Sequence, residues 1–239
     1  MRLIAGLWKL NISKGISFII LFSLLSSFAI AQSIKVSTLG LDDRLYNGRY
    51  YTYFPPKEVR GNQFLIEKLF SNATVWINGA EFNNLQLNYD VFNQEVLLAF
   101  ETQEAAKRVI MLSKAHIDSF YFDNKKFIIE KRGKDDYAIF QRIKVGELEL
   151  NIYWSKRLEL QTSLNNIQYF FTNPQRGIYI IKSQNKTPIR NNRSLYKLFQ
   201  KKQASSLRKY MRSNKLKLPK MNDSQYFNLL VFISKLPNA

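Results

Sequence analysis

Residues 75–100 read VWINGAEFNNLQLNYDVFNQEVLLAF, and their spacing sets the fold class. Val75-Trp76-Ile77 is a short apolar run closed by Asn78-Gly79, a pair that tolerates positive φ and so makes two-residue hairpin turns. Beyond the turn, Leu85, Leu87 and Tyr89 alternate with Gln86, Asn88 and Asp90. Successive side chains of a strand point to opposite faces. The alternation therefore predicts the leucines and Tyr89 on a buried face, with the amides and Asp90 in solvent. Phe92-Asn93-Gln94 turns the chain into Val96, Leu98 and Phe100, again two apart.

The same theme continues downstream. Apolar or alternating runs at 109–112, 119–122, 127–131, 137–145 and 147–154 predict strands, the last two broken at Gly146. In the run 147–154, Leu148, Leu150, Ile152 and Trp154 are expected inside, and Glu147, Glu149 and Asn151 outside. Runs at 169–172 and 178–182 flank Pro174-Gln175-Arg176-Gly177, whose Pro and Gly suit a turn. Upstream, 50–54 could form a strand stopped by Pro55-Pro56, because proline lacks a ladder donor. After Lys182 the period becomes helical: Leu195, Leu198, Phe199, then Leu207, Tyr210, Met211. Pro219 precedes a last helix with Tyr226, Phe227, Leu230 and Ile233 on one stripe and Asn222, Asp223 or Ser224 as its cap.

The expected fold is α+β: an antiparallel β-meander of about eight short strands with a small basic helical C-terminal segment packed on it. Short links leave no room for βαβ crossovers, so a parallel nucleotide-binding sheet is not expected. The chain divides at this level into 1–31, 32–182 (β-rich) and 183–239 (basic, helical).

Residues 1–31 read as a cleavable export signal. Arg2, Lys9 and Lys14 make a positive start, Ile16 to Phe28 is apolar apart from serines, and Ala29-Ile30-Ala31 is an A-x-A cleavage site. That apolar run falls short of the roughly 20 residues that span a bilayer. Cysteine is absent, so an exported fold of this kind rests on its apolar core alone.

Charge is distributed unevenly. Of 36 Lys+Arg, three lie in the signal, 18 in residues 32–160 and 15 in residues 161–239; of 18 acids, 17 lie in 32–160 and one, Asp223, beyond. Residues 161–239 thus carry +14 of the net +18.

Catalytic chemistry finds little support. With one His and no Cys, zinc and iron–sulfur sites are not expected, and Asp42-Asp43 and Asp135-Asp136 lack a calcium loop's spacing. No glycine-rich phosphate loop is present, and no cofactor is expected. His116 and Asp118 would share a face of an extended segment, but no Gly-x-Ser-x-Gly elbow presents a nucleophile. Glu147 and Glu149 share a strand face and Glu159 follows, which leaves a carboxylate-based hydrolase in a β groove as the alternative.

The basic tail stands out. Lys197, Lys201, Lys202, Arg208, Lys209 and Arg212 form the candidate anion-binding set, interleaved with Tyr196 and Tyr210. Such a surface attracts a lipid head group, lipid A, an acidic polysaccharide or an acidic partner protein. Genomic DNA is not an expected partner of an exported chain.

The run Gly79-x-x-Phe82-x-x-Leu85-x-Leu87-Asn88-Tyr89-Asp90, followed by Glu95-Val96-Leu97-Leu98, resembles a segment of uncharacterised exported envelope proteins of the Bacteroidota. The later order is similar as well: a Gly-broken hairpin, a Tyr-rich pair of strands, and Ser194-Leu195 opening a basic tail through Lys209-Tyr210. The resemblance implies residence in the periplasm or at the outer-membrane periphery and brings no known activity. The reading is a non-enzymatic envelope protein whose basic tail docks on an anionic surface or partner.

Overall fold

The computed structural model describes residues 35–37, 42–67, 70–102, 106–163, 166–182 and 185–237, so the expected export signal lies outside the described residues. The strands are β1 (Lys35–Ser37), β2 (Arg49–Tyr50), β3 (Ser71–Ile77), β4 (Ala80–Asp90), β5 (Glu95–Glu101), β6 (Lys107–Met111) and β7 (Ile117–Phe122). They continue with β8 (Lys125–Lys131), β9 (Tyr137–Val145), β10 (Leu148–Ser155), β11 (Leu158–Ser163), β12 (Asn166–Phe171), β13 (Gln175–Lys182) and β14 (Asn185–Pro188). The helices are α1 (Asp43–Tyr46), α2 (Asn192–Tyr196), α3 (Lys201–Ser213) and α4 (Asp223–Ser234). The fold is mostly antiparallel sheet with a few helices, and it has more strands than the sequence predicts.

Turn chemistry explains the hairpins. Asn78 (φ 49°) and Gly79 (φ 77°) both sit in the left-handed region that a type I′ turn requires, as do Asp123 (φ 49°) and Asn124 (φ 57°) between β7 and β8. One sheet runs β14-β13-β10-β9-β8-β7-β3-β4-β5-β6-β2, with β1 pairing β4 in parallel. The meander is therefore interrupted. β7 pairs with β3, four strands back, rather than with β6. The link from β6 to β7 is short and is tied to the hairpin turns it passes. Lys114 donates to the Gln94 carbonyl and to Glu95 (both 2.9 Å), and the Asn78 N–H donates to the His116 carbonyl (3.2 Å).

The expected turn at 174–177 is a correction. Gln175–Lys182 is strand, and the reversal lies between β11 and β12 instead. β10–β13 and β11–β12 are two stretches of one long hairpin, joined where the Thr172 N–H donates to the Arg157 carbonyl (2.9 Å). Gly177 pairs with Tyr153 in the β10–β13 ladder, and a Cβ there would meet the Tyr179 ring and the Tyr153 Cβ only at ordinary contact distances of 3.6 Å and 3.7 Å. The strand expected at 50–54 shrinks to β2, since only Arg49 and Tyr50 pair with β6.

Alternation locates the core, but two polar sets expected outside are buried. Leu85, Leu87 and Tyr89 are buried as predicted, and Asn88 and Asp90 are buried with them. The segment from Tyr51 to Phe64 covers that second face: Phe64 bridges to Asp90, and the Tyr51 hydroxyl donates to Asp90 (2.6 Å). Asp90 also accepts from the backbone N–H groups of Phe92 (3.0 Å) and Asn93 (2.8 Å), which shapes the turn into β5. A buried carboxylate needs such partners.

On β10, Glu149 is 7% exposed and Asn151 0%. Arg142 of β9 binds Glu149 (2.5 Å), and the Asn151 amide donates to Glu130 of β8 (2.8 Å). Phe140, buried on the same face, lies beneath Lys186 at 3.5 Å and beneath Arg132 at 5.3 Å.

The tail packs on the sheet through a continuous core. Leu195, Leu207, Met211, Leu218, Tyr226, Leu229, Leu230 and Ile233 join the same buried cluster as Leu150, Ile152, Ile178 and Ile180. α4 rests on β9 and β10. Asn222 is its N-cap, its side chain accepting from the Gln225 N–H (2.9 Å). Tyr226 is buried and its hydroxyl donates to the Leu218 carbonyl (2.5 Å), which pins the turn at Pro219.

Candidate anion-docking face

α3 forms because its apolar positions recur at helical spacing. Gln203, Ala204, Leu207 and Met211 are its buried residues. At ~100° per residue, Lys201, Lys202, Arg208, Lys209 and Arg212 fall within about a third of the helix circumference, opposite that stripe. All five side chains are exposed, as is Lys197 at the C-cap of α2. The structure therefore brings five of the six expected residues onto one helix face and places Lys197 just ahead of it in the chain.

Their electrostatics are uncompensated. Among the described residues none of the six forms an ion pair, while cations elsewhere do: Lys114 with Glu95, Lys125 with Asp123, Arg157 with Glu159. The first turn of α3 carries no acid and holds Lys201 and Lys202. A helix N-terminus favours negative charge, so like charge there is unfavourable by a few tenths to about 1 kcal/mol per residue. Arg212 in the last turn has the favourable placement. The aromatic residues anchor this face rather than lying free on it. The Arg208 guanidinium sits 5.4 Å from the Tyr196 ring centroid, and Tyr210 stacks on Phe232 of α4 at 4.1 Å.

A recess of about 300 Å³ adjoins this region, lined by Ile180, Lys182, Asn185, Thr187, Leu198 and Phe199. Sequence reasoning missed it, because it forms between residues of β13 and β14 and the turn after α2. The helical spacing of Leu198 and Phe199 was the only signal, and it read as core. A second recess, of about 420 Å³, lies where α4 starts over β8 and β9 and includes Lys125, Lys126, Arg142, Asp223 and Phe227.

The residues weighed for catalysis do not converge. His116 is exposed in the turn before β7, and Asp118 accepts from the Gly79 N–H (2.8 Å). Glu147 is exposed in the β9–β10 turn, Glu149 is held by Arg142, and Glu159 lies in a different sheet, 3.0 Å from Arg157. Glu130 is tied to Lys186 and Asn151. Among the described residues the Asn151 Oδ1 and the Arg142 Nε have no hydrogen-bond partner, and both are enclosed.

No helix among the described residues is long and apolar enough to cross a membrane. No protein-family model, curated protein or solved structure matches the chain.

Proposed function

We propose that this is an exported, non-enzymatic protein of the cell envelope that docks on an anionic surface or acidic partner through the basic face of α3. One observation carries the reading. Five exposed cations share one face of a helix whose opposite face is built into the core, and no carboxylate of the described residues answers them. A solvated helix of no function normally intersperses both signs. Here the near-neutral β region of the same chain argues against a uniform drift in composition.

Each Lys or Arg near an anionic membrane surface is worth about 1 kcal/mol. Changing Lys201, Lys202, Arg208 and Lys209 to Gln therefore removes about 4 kcal/mol, or roughly three decades of affinity, at low salt. The fold should persist, because none of the four is buried. The test is sedimentation with vesicles containing anionic phospholipid at 20 mM and 500 mM NaCl. Wild-type protein should pellet at low salt and be released at high salt, where the screening length falls to a few ångströms. The quadruple variant should stay in solution at both. Unchanged adsorption of a folded variant would sink the reading.

A further inference from the structure

Resting on that reading, we propose that the recess beside the β13–β14 hairpin receives one acyl chain of an anionic lipid, whose head group meets Lys182 and the cations flanking the Leu198–Phe199 turn. The walls set the order of the chemistry. Ile180 and Phe199 are buried and Leu198 is half-buried, and together they make the apolar half of the lining. Lys182, Asn185 and Thr187 make the polar side, and the Lys182 ammonium lies 5.4 Å from the Phe199 ring centroid. Among the described residues Lys182 forms no ion pair, and the turn is bounded in the chain by Lys197 and by Lys201-Lys202.

Three apolar residues, Ile180, Leu198 and Phe199, beside one cation, Lys182, match an amphiphile. An inorganic anion would leave the apolar residues unused, and a neutral hydrocarbon would leave Lys182 unanswered. Size agrees. An apolar cavity of about 150 Å³ takes a six-carbon ring, so the recess, at about 300 Å³, admits roughly a dozen carbons. A chain seated there adds an attachment that salt does not screen, beside the electrostatic one on α3.

The experiment titrates decanoate, below its micelle concentration, into the purified protein by calorimetry, with decanol as the neutral counterpart. Wild type should bind decanoate at least tenfold more tightly than decanol, the value of one charge-assisted contact. Thr187→Trp, on the edge strand β14, should fill the recess and weaken decanoate at least tenfold with an unchanged circular dichroism spectrum. Lys182→Met should narrow the preference for decanoate over decanol to within about twofold, and it reports on the same site should Thr187→Trp fail to fold. Absence of decanoate binding to folded wild type at millimolar concentration overturns the proposal. So does decanoate binding that both folded variants leave unchanged. Salt-sensitive vesicle adsorption without decanoate binding removes the recess and leaves the docking face. Decanoate binding that both variants weaken, without vesicle adsorption, supports the recess and removes the docking face.

Discussion

Replacing Leu207 by Ala tests whether the helical tail belongs to the same cooperative unit as the sheet. Leu207 is fully buried on the inner face of α3, within the cluster that includes Leu150, Ile152 and Ile180. Removing three carbons from such a site loses their transfer free energy and leaves a cavity, about 2–5 kcal/mol together. For a domain of roughly 200 residues each kcal/mol moves the melting temperature by about 2–4 °C, so the expected drop is about 4–20 °C. Ser206→Ala, an exposed neighbour whose hydroxyl bonds back to the Lys202 carbonyl, is the control and should shift it by no more than a degree or two. The assay is thermal unfolding followed by far-ultraviolet circular dichroism at helix- and sheet-sensitive wavelengths and, in parallel, by tryptophan fluorescence, to which Trp76 of β3 and Trp154 of β10 contribute. A single transition that moves as a whole is expected from the shared core. Two transitions, with only the helical one displaced, would refute it and make residues 183–239 a separable subdomain.

Alkaline titration gives a second prediction. Burial raises the Tyr51, Tyr53, Tyr89, Tyr153 and Tyr226 hydroxyls above the ordinary phenol range, with the Asp90 carboxylate adding to the effect at Tyr51. The unfolded chain then sheds those protons first, near pH 10. Stability should thus be level below about pH 10 and fall as pH climbs toward the folded-state values. Absorbance at 295 nm should show the Tyr51 and Tyr89 hydroxyls ionising above the ordinary phenol range; their titration near pH 10 in the folded chain would refute the burial. Gly48→Ala gives a third. A Cβ there would lie 2.3 Å from the Met111 carbonyl oxygen, so β2 should detach and the Met111 amide, inside the β2–β6 ladder, should exchange at least tenfold faster in deuterium exchange. Asp90→Ala removes the acceptor of Tyr51, Phe92 and Asn93 and should cost about 3–5 kcal/mol in denaturant unfolding, against 1–2 for Tyr51→Phe.

The parts of the fold legible in the sequence were those decided by neighbours in the chain. Asn78-Gly79 announced its turn because the two-residue geometry needs positive φ at both positions. Leu85, Leu87, Leu148, Leu150 and Ile152 announced the core face because strand periodicity is local. Asn88, Asp90, Glu149 and Asn151 were misplaced because covering the second face depends on distant partners: Tyr51 to Phe64 in one case, Glu130 and Arg142 in the other. Pro174 and Gly177 misled because turn chemistry is local, whereas pairing with β10 from Gln175 onward, a distant partner, holds the segment as strand. The pairing of β7 with β3 could not be read from local spacing at all. Among the site residues, helical periodicity already placed the α3 cations on one side. Their lack of carboxylate partners, and the recess beside them, needed three dimensions.

The core that α2, α3 and α4 share with the sheet has a consequence in time. A chain made from its N-terminus completes those strands by residue 182, while Leu195 to Ile233, which roof them, are still to come. Until then a broad apolar surface faces water, and no cysteine is available to clasp the strands meanwhile. Sheets assembled from such distant pairings close in milliseconds to seconds, long enough for two unfinished molecules to meet. That exposed surface is where unfinished chains would associate. Loss of the last helices should then show itself as aggregation before any binding defect can be measured.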